Sequence, residues 1–490
     1  MTLISWFKIF LIFVILTLFP LGIISYSGTI FYYIIFTIIS SYALISSFNK
    51  KSISFDSFFS LLMWLGFWFK FTAQISFLNS QFPEGAGMFD HSPKSYDQVL
   101  LISTIGILGF LFARYIRSKY IFNYKVLENQ ELEIRKYLTF YSDYRKKILI
   151  IYFFLVLFFP IINFIFVFFQ KGTIPETILP FGLNNFINWL LMFGLASLSS
   201  IIIFFEFFYK KKNSNNILKI GILENFLSSI SILSRAMIFN STSLVYGYYR
   251  LIKLNDIKIN KIKFIKFFTI IFLMFLISLI VVSKLRQVND FSVGHEVHSY
   301  LPEIEFEEKI DNKVIRKPIE IINDFSRELN QIIFLIAGRW VGIEGVMVVY
   351  SNPNIGWNTF KLAFEDKFNY SNSFYENFLK GSKHIYEKDP KIYTIYVPGI
   401  IGFLYYANSI IFLFLCIFSF CIICSFIEIS AYKISKNNII FSYMIGNVLA
   451  YRLAHYGYMP QNTYKILLAI LLNFILILIL YKLIDLLYKR

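Results

Sequence analysis

Apolar residues along this chain neither alternate as in a half-buried strand nor recur at surface-helix spacing; they run on in long blocks separated by short polar connections. A helix needs about 20 apolar residues to cross a hydrocarbon core of about 30 Å at 1.5 Å per residue. Twelve blocks meet or approach that length: residues 4–24, 29–47, 55–78, 99–116, 148–169, 186–209, 217–233, 236–249, 264–282, 400–427, 439–456 and 464–481. The pattern therefore predicts an all-α integral membrane protein with about twelve transmembrane helices and one large loop before the last three. It divides into residues 1–282 with nine crossings, 283–399 as the loop, and 400–490 with three more.

The seventh and eighth blocks are the shortest, and their serines and asparagines are too polar for lipid. Ser228, Ser229, Ser231, Ser234, Asn240, Ser241 and Ser243 should line the protein interior or an aqueous cavity, unless the pair lies against the membrane interface. Within the loop, apolar residues from Ile321 to Ile336 recur at helical spacing, which predicts an amphipathic segment over 318–349 on or dipping into the outer membrane surface.

Composition agrees with this solvent: 57% of residues are hydrophobic and the mean hydropathy is +0.61. The net charge of +17 does not point to nucleic acid, because Lys and Arg gather beside apolar blocks, where they encode orientation. They collect at Lys50-Lys51, Arg114 to Lys147, Lys210 to Lys212, Arg250 to Lys266, Lys433, Lys436 and Lys489-Arg490, in every second connection. Both termini are then expected in the cytoplasm and the long loop outside, in the periplasm. That loop carries 14 Lys/Arg and 16 Asp/Glu, a near balance that long translocated segments tolerate. The first helix lacks a small-residue cleavage signal and is expected to be retained. Cys416, Cys421 and Cys424 share one apolar block, so no structural disulfide is expected.

No phosphate-binding glycine loop, dinucleotide fingerprint or metal-ligand spacing occurs, so neither cofactor nor metal is expected. What remains is charge at the outer ends of helices, where it is costly. Lys70 lies inside the third block, with snorkelling as the competing explanation. Arg235 marks the tip of the short hairpin, where a helix-end charge would also serve. Arg339 and Glu344 stand among Gly338, Gly342 and Gly345, either as a functional pair or as a structural salt bridge. Arg452 and His455 share a helical face at the end of the eleventh block, functionally or structurally. Arginine suits a bidentate grip on phosphate oxygens, and four basic centres near one membrane face suit a lipid-linked diphosphate.

With the span count, the large outer loop, the segment Trp64-Leu65-Gly66-Phe67-Trp68-Phe69-Lys70 followed by a loop carrying Asp90, and Ser234-Arg235-Ala236, the chain resembles the O-antigen and related repeat-unit polymerases of the Wzy group. The resemblance implies a bacterial inner-membrane enzyme on a helical fold akin to the lipid-dependent GT-C-like glycosyltransferases. It would join undecaprenyl-diphosphate-linked repeats into O-antigen or a similar polysaccharide, with a glycan donor, a glycan acceptor and membrane lipids as partners and room for a chain-length regulator. In that reaction Arg339, Arg452, Arg235 and Lys70 would hold the diphosphate, and His455, ahead of Glu344, would take the acceptor proton. An O-antigen ligase with similar architecture stays open, as does a lipid-linked oligosaccharide flippase, although the long outer loop speaks against the latter.

Overall fold

The computed structural model describes residues 3–49, 51–78, 86–124, 130–171, 176–210, 215–234, 237–255, 257, 261–291, 309–310, 313–314, 337–338, 340–366, 374–379, 397–457, 460 and 463–487. These are almost wholly helical. The helices are α1 (Leu3–Ser25), α2 (Ile30–Ser46), α3 (Ser54–Phe77), α4 (Pro93–Ile121), α5 (Gln130–Phe166), α6 (Pro180–Tyr209), α7 (Asn215–Ser231), α8 (Met237–Leu254), α9 (Lys261–Phe291), α10 (Ile343–Tyr350), α11 (Trp357–Phe364), α12 (Phe374–Leu379), α13 (Gly399–Tyr405), α14 (Ile410–Ile434), α15 (Ile439–Ala454) and α16 (Thr463–Leu487). The one strand pairing among the described residues is a two-residue antiparallel contact, Lys309–Ile310 with Lys313–Val314.

Eight of these helices are long and apolar enough to cross a membrane, and α2 and α15 are shorter apolar helices. Burial separates them into two kinds. The most apolar window of α3 is 83% buried and that of α6 78%, whereas α1 is 11% buried and α5 and α9 22% each. The outer ring thus presents Phe, Leu and Ile to lipid, while the centre is built on α15, which packs against α3, α6, α8 and α14. α7 and α8 pack on each other within this bundle, and α7 also touches α5, α6 and α9.

Two differences from the sequence pattern have local causes. The tenth block, 400–427, is two helices: α13 ends near Tyr406, Asn408 takes a left-handed φ of 53°, and Ser409 starts α14 by accepting from Phe412 N. An apolar run conceals this break because Asn and Ser interrupt it for only two residues. The expected amphipathic segment falls largely outside the described residues, and its described end does not lie on a surface. α10 is buried throughout its apolar face, with Ile343, Val346, Met347, Val348 and Val349 all fully covered, and it packs against α13 and α4.

Three helices carry a π-helical turn, at Trp64–Phe69, Arg117–Ile121 and Leu190–Gly194. Such turns widen a helix and re-aim its side chains. The first presents Gly66 to the chain before α10: a Cβ on Gly66 would stand 2.0 Å from the Val341 carbonyl oxygen, and one on Gly342 2.3 Å from that of Gly66. Only glycine at both positions allows this approach.

Candidate functional site

The segment leading into α10 is fastened by charge directly after that contact. Lys70, the first residue beyond the π turn, reaches Glu344 Oε2 at 2.7 Å and the Trp340 carbonyl at 2.9 Å, and both charged side chains are buried. A buried pair of this kind stays together because separating it would strand a charge. Lys70 and Glu344, read from the sequence as separate candidates, are therefore partners. Arg339, the expected partner of Glu344, and Arg235 lie outside the described residues.

Beside this pair opens a small cleft of about 50 Å³, partly open to the exterior. It lies at the end of the bundle opposite the basic connections, between the first half of α6, the end of α7, the start of α8 and the end of α15. Leu191, Met192 and Phe193 from the third π turn, with Ile232 and Val448, form apolar walls; Asn225, Ser228, Ser229, Asn240 and Asn447 supply neutral polar groups; Lys171 and Arg452 supply positive charge. Of the polar residues of the short hairpin, Ser228, Ser229 and Asn240 face this cavity, while Ser231, Ser234, Ser241 and Ser243 are buried in the protein interior.

Part of the rim is held in place by hydrogen bonds between helix ends. Pro160 cannot continue the hydrogen-bond ladder of α5, and near that position Asn163 Nδ2 donates to the Phe169 carbonyl and to Ser231 while Ser231 Oγ donates to the Pro160 carbonyl. This ties the end of α5 to the tip of α7. Lys171 N then donates to the Ile232 carbonyl at 3.0 Å and Lys171 Nζ to Ser234 Oγ at 2.9 Å, so the ammonium is held at the rim. Arg452 occupies the last turn of α15, and no hydrogen bond or ion pair among the described residues engages its guanidinium. Asn447 Oδ1 is buried with no hydrogen-bond partner among the described residues.

His455 caps α15, with its ring stacked on Tyr451 at 4.0 Å and its Nδ1 2.9 Å from the Tyr451 carbonyl. That contact makes Nδ1 the protonated nitrogen. Neither His455 nor Glu344 is among the residues lining the cleft; Tyr451, Phe239 and Trp340, in ring contact at 5.5 and 6.3 Å, connect the Lys70–Glu344 pair to it.

Of the six candidates, Arg452 faces the cleft directly. Lys171, Asn225 and Asn447 were not singled out by sequence reasoning. Lys171 had a signal, as a lone basic residue in a connection otherwise free of Lys and Arg. Asn447 had none, since an amide within an apolar helix reads the same whether it is satisfied or not. Compared with models of known protein families, with curated proteins and with solved structures, the chain has no match.

Proposed function

We propose that this chain is a glycosyltransferase that polymerises undecaprenyl-diphosphate-linked oligosaccharide repeats, working at the outer face of a bacterial inner membrane. The observation that carries the reading is the composition of the cleft: two cations, five neutral amides and hydroxyls, and an apolar wall in one space. Cations meet phosphate oxygens, amides and hydroxyls meet sugar hydroxyls, and the apolar wall suits the first isoprenoid units. An ion pathway would not need the apolar wall, and a purely lipid-binding groove would not need the amides.

On this reading the eight long helices, the two shorter apolar ones and the polar pair α7 and α8 make twelve crossings, with both termini cytoplasmic and the cleft outward. Arg452 and Lys171 stabilise the diphosphate as its bond to the anomeric carbon breaks, the electrostatic role that fixed cations perform best in a site shielded from water. Arg235, outside the described residues, follows directly in sequence on Ser234, which holds Lys171. Lys70 and Glu344 fasten the outer segment to α3, and His455 fixes the end of the helix that carries Arg452.

Replacing Arg452 by Ala should leave cells with surface lipid bearing a single repeat, read by electrophoresis of extracted glycolipid at matched protein levels. Loss of a ligase would instead leave polymer on the undecaprenyl carrier, and loss of a flippase would trap single repeats on the cytoplasmic leaflet. Arg452→Lys keeps the charge without the planar fork and should also lose most activity. Full-length polymer from Arg452→Ala would overturn the proposal.

A further inference from the structure

Glu224, on α7, is fully buried at a depth where lipid surrounds the bundle, and no ion pair among the described residues includes it. The other membrane-embedded glutamates are well partnered. Glu428 accepts from Ser54 N, Phe55 N and the Tyr124 hydroxyl, Glu206 from Tyr141, Arg145 and Lys210, and Glu344 from Lys70. Glu224 Oε1 accepts from Ser228 Oγ at 3.0 Å, the Ser199 hydroxyl also interacts with the carboxyl, and Glu224 Oε2 has no hydrogen-bond partner among the described residues. Around it stand Ser199 of α6 and, hydrogen-bonded to Ser199 at 2.6 Å, Tyr152 of α5. The charged groups above it are Lys171 and Arg452, which line the cleft with Ser228.

A carboxyl so placed does not hold helices together, since an apolar side chain would do that at less cost. What distinguishes it is the position of Ser228, the donor bonded to Oε1. Ser228 is one helical turn nearer the outer end of α7 and lines the cleft, so the serine hydroxyl joins the cleft to the buried carboxylate.

We infer that Ser228 and Glu224 form the proton relay for the acceptor sugar hydroxyl. This rests on the polymerase reading and supplies the base that His455 and Glu344, both outside the lining, do not. As the acceptor oxygen forms its bond to the anomeric carbon, the bond from that carbon to the phosphate oxygen breaks. The electron pair leaves with the lipid diphosphate, held by Arg452 and Lys171. The acceptor's proton passes to Ser228 Oγ while the serine's own proton moves to the Glu224 carboxylate. After release, the proton returns by the same path to the departing diphosphate or to water in the cleft.

The test uses the full chain in membrane vesicles from its own cell, which carry the lipid-linked repeats, together with purified protein titrated with undecaprenyl diphosphate. Glu224→Gln and Ser228→Ala should each lower polymer formation by about 100-fold, in the range of general-base removal, with undecaprenyl diphosphate affinity unchanged. Ser228→Thr, which keeps the hydroxyl, should restore most of the rate. The acid limb of the wild-type rate profile should be absent in Glu224→Gln, a change that loss of packing alone would not produce. Wild-type turnover in Ser228→Ala or Glu224→Gln, with Arg452→Ala inactive and weak in binding, would overturn the relay and leave the polymerase reading standing. Wild-type turnover and affinity in Arg452→Ala would overturn that reading itself. Should Glu224→Gln fail to accumulate, Ser228→Ala decides alone, because it removes one hydroxyl and leaves the carboxyl in place.

Discussion

The two ends of the bundle bury similar polar groups and treat them differently. At the end with the basic connections, Arg117 pairs with Asp56 and also donates to the carbonyls of Lys51 and Phe122, at 3.0 and 2.8 Å. Arg114 donates to Ser46 and Ser47, and the Glu428 carboxylate caps the first two backbone amides of α3. At the cleft end, Arg452 and Asn447 Oδ1 keep hydrogen-bonding capacity that no described residue uses. Arg117 Nε is also buried without a partner among the described residues, so the contrast lies in how fully each arginine is engaged, three hydrogen bonds for Arg117 and none for Arg452 among those residues. Arginine at one end is a fastening, and at the other, on the proposed reading, a contact for a ligand.

The largest effect expected from this contrast is on stability at the basic end. Arg117→Ala leaves Asp56 buried without its partner and should cost about 3–5 kcal/mol, seen as a lower unfolding temperature in detergent. Removing both charges in an Asp56→Ala, Arg117→Ala double variant should recover part of that loss. A single variant as stable as the parent would mean that the basic end is not a fixed network.

A smaller effect belongs to the place where the two modes meet, the backbone contact between Gly66 and Gly342 beside the Lys70–Glu344 pair. Gly66→Ala sets a methyl against the Val341 carbonyl, which cannot yield without moving the outer segment. Overpacking of this kind costs about 1–3 kcal/mol. Faster hydrogen exchange over α10, with the basic end unchanged, would show that the segment has loosened. Unchanged protection of α10 would show that the contact does not hold it.

At the cleft the effect moves from stability to activity. Asn447→Ala removes an acceptor that has no partner in the folded protein, so the unfolding temperature should hardly shift. Losing one hydrogen bond to a sugar hydroxyl is worth about 1 kcal/mol, roughly a fivefold fall in polymer formation. A variant that unfolds early while turning over normally would place Asn447 with the fastened groups and reverse the comparison at this residue.

How much of this was legible in the sequence follows from which physical signal each feature leaves. Long apolar runs mark their own helices, so the membrane class and most helix positions were readable, with α3 and α6 displaced by only a few residues. The same signal is blind to short interruptions, hence the missed break at Asn408, and it says nothing of burial, hence the amphipathic segment expected on the membrane surface whose described end is interior. Charges in apolar blocks pointed to Lys70, Glu344 and Arg452, yet which of them pair is a matter of tertiary distance: Lys70 and Glu344 are 274 residues apart in sequence and 2.7 Å apart in space. Glu224 was overlooked because a carboxyl in a short, polar helix looks unremarkable until its surroundings prove to be hydroxyls.

The smallest effect expected concerns Asp90, at the same end as the cleft but exposed. Hydrogen bonds from Ser95 and Ser92 hold its carboxyl below the usual carboxylate range, and Ser92 in turn caps α4 by accepting from Ser95 N. A depressed carboxyl stabilises the fold above its unfolded pKa of about 3.9, and that contribution is lost as the pH falls through the lower folded value. Between about pH 5 and 8 the contribution is therefore constant. Asp90→Asn keeps an acceptor for Ser92 N and should change stability by no more than about 0.5 kcal/mol, as at most exposed positions. Polymer length should be unchanged as well, because solvent already satisfies this group and it has no unmet capacity to offer a substrate. Loss of polymer in Asp90→Asn, at normal stability, would extend the site from the cleft to the loop before α4. It would also show that exposure at the outer end is not enough to separate supporting residues from working ones.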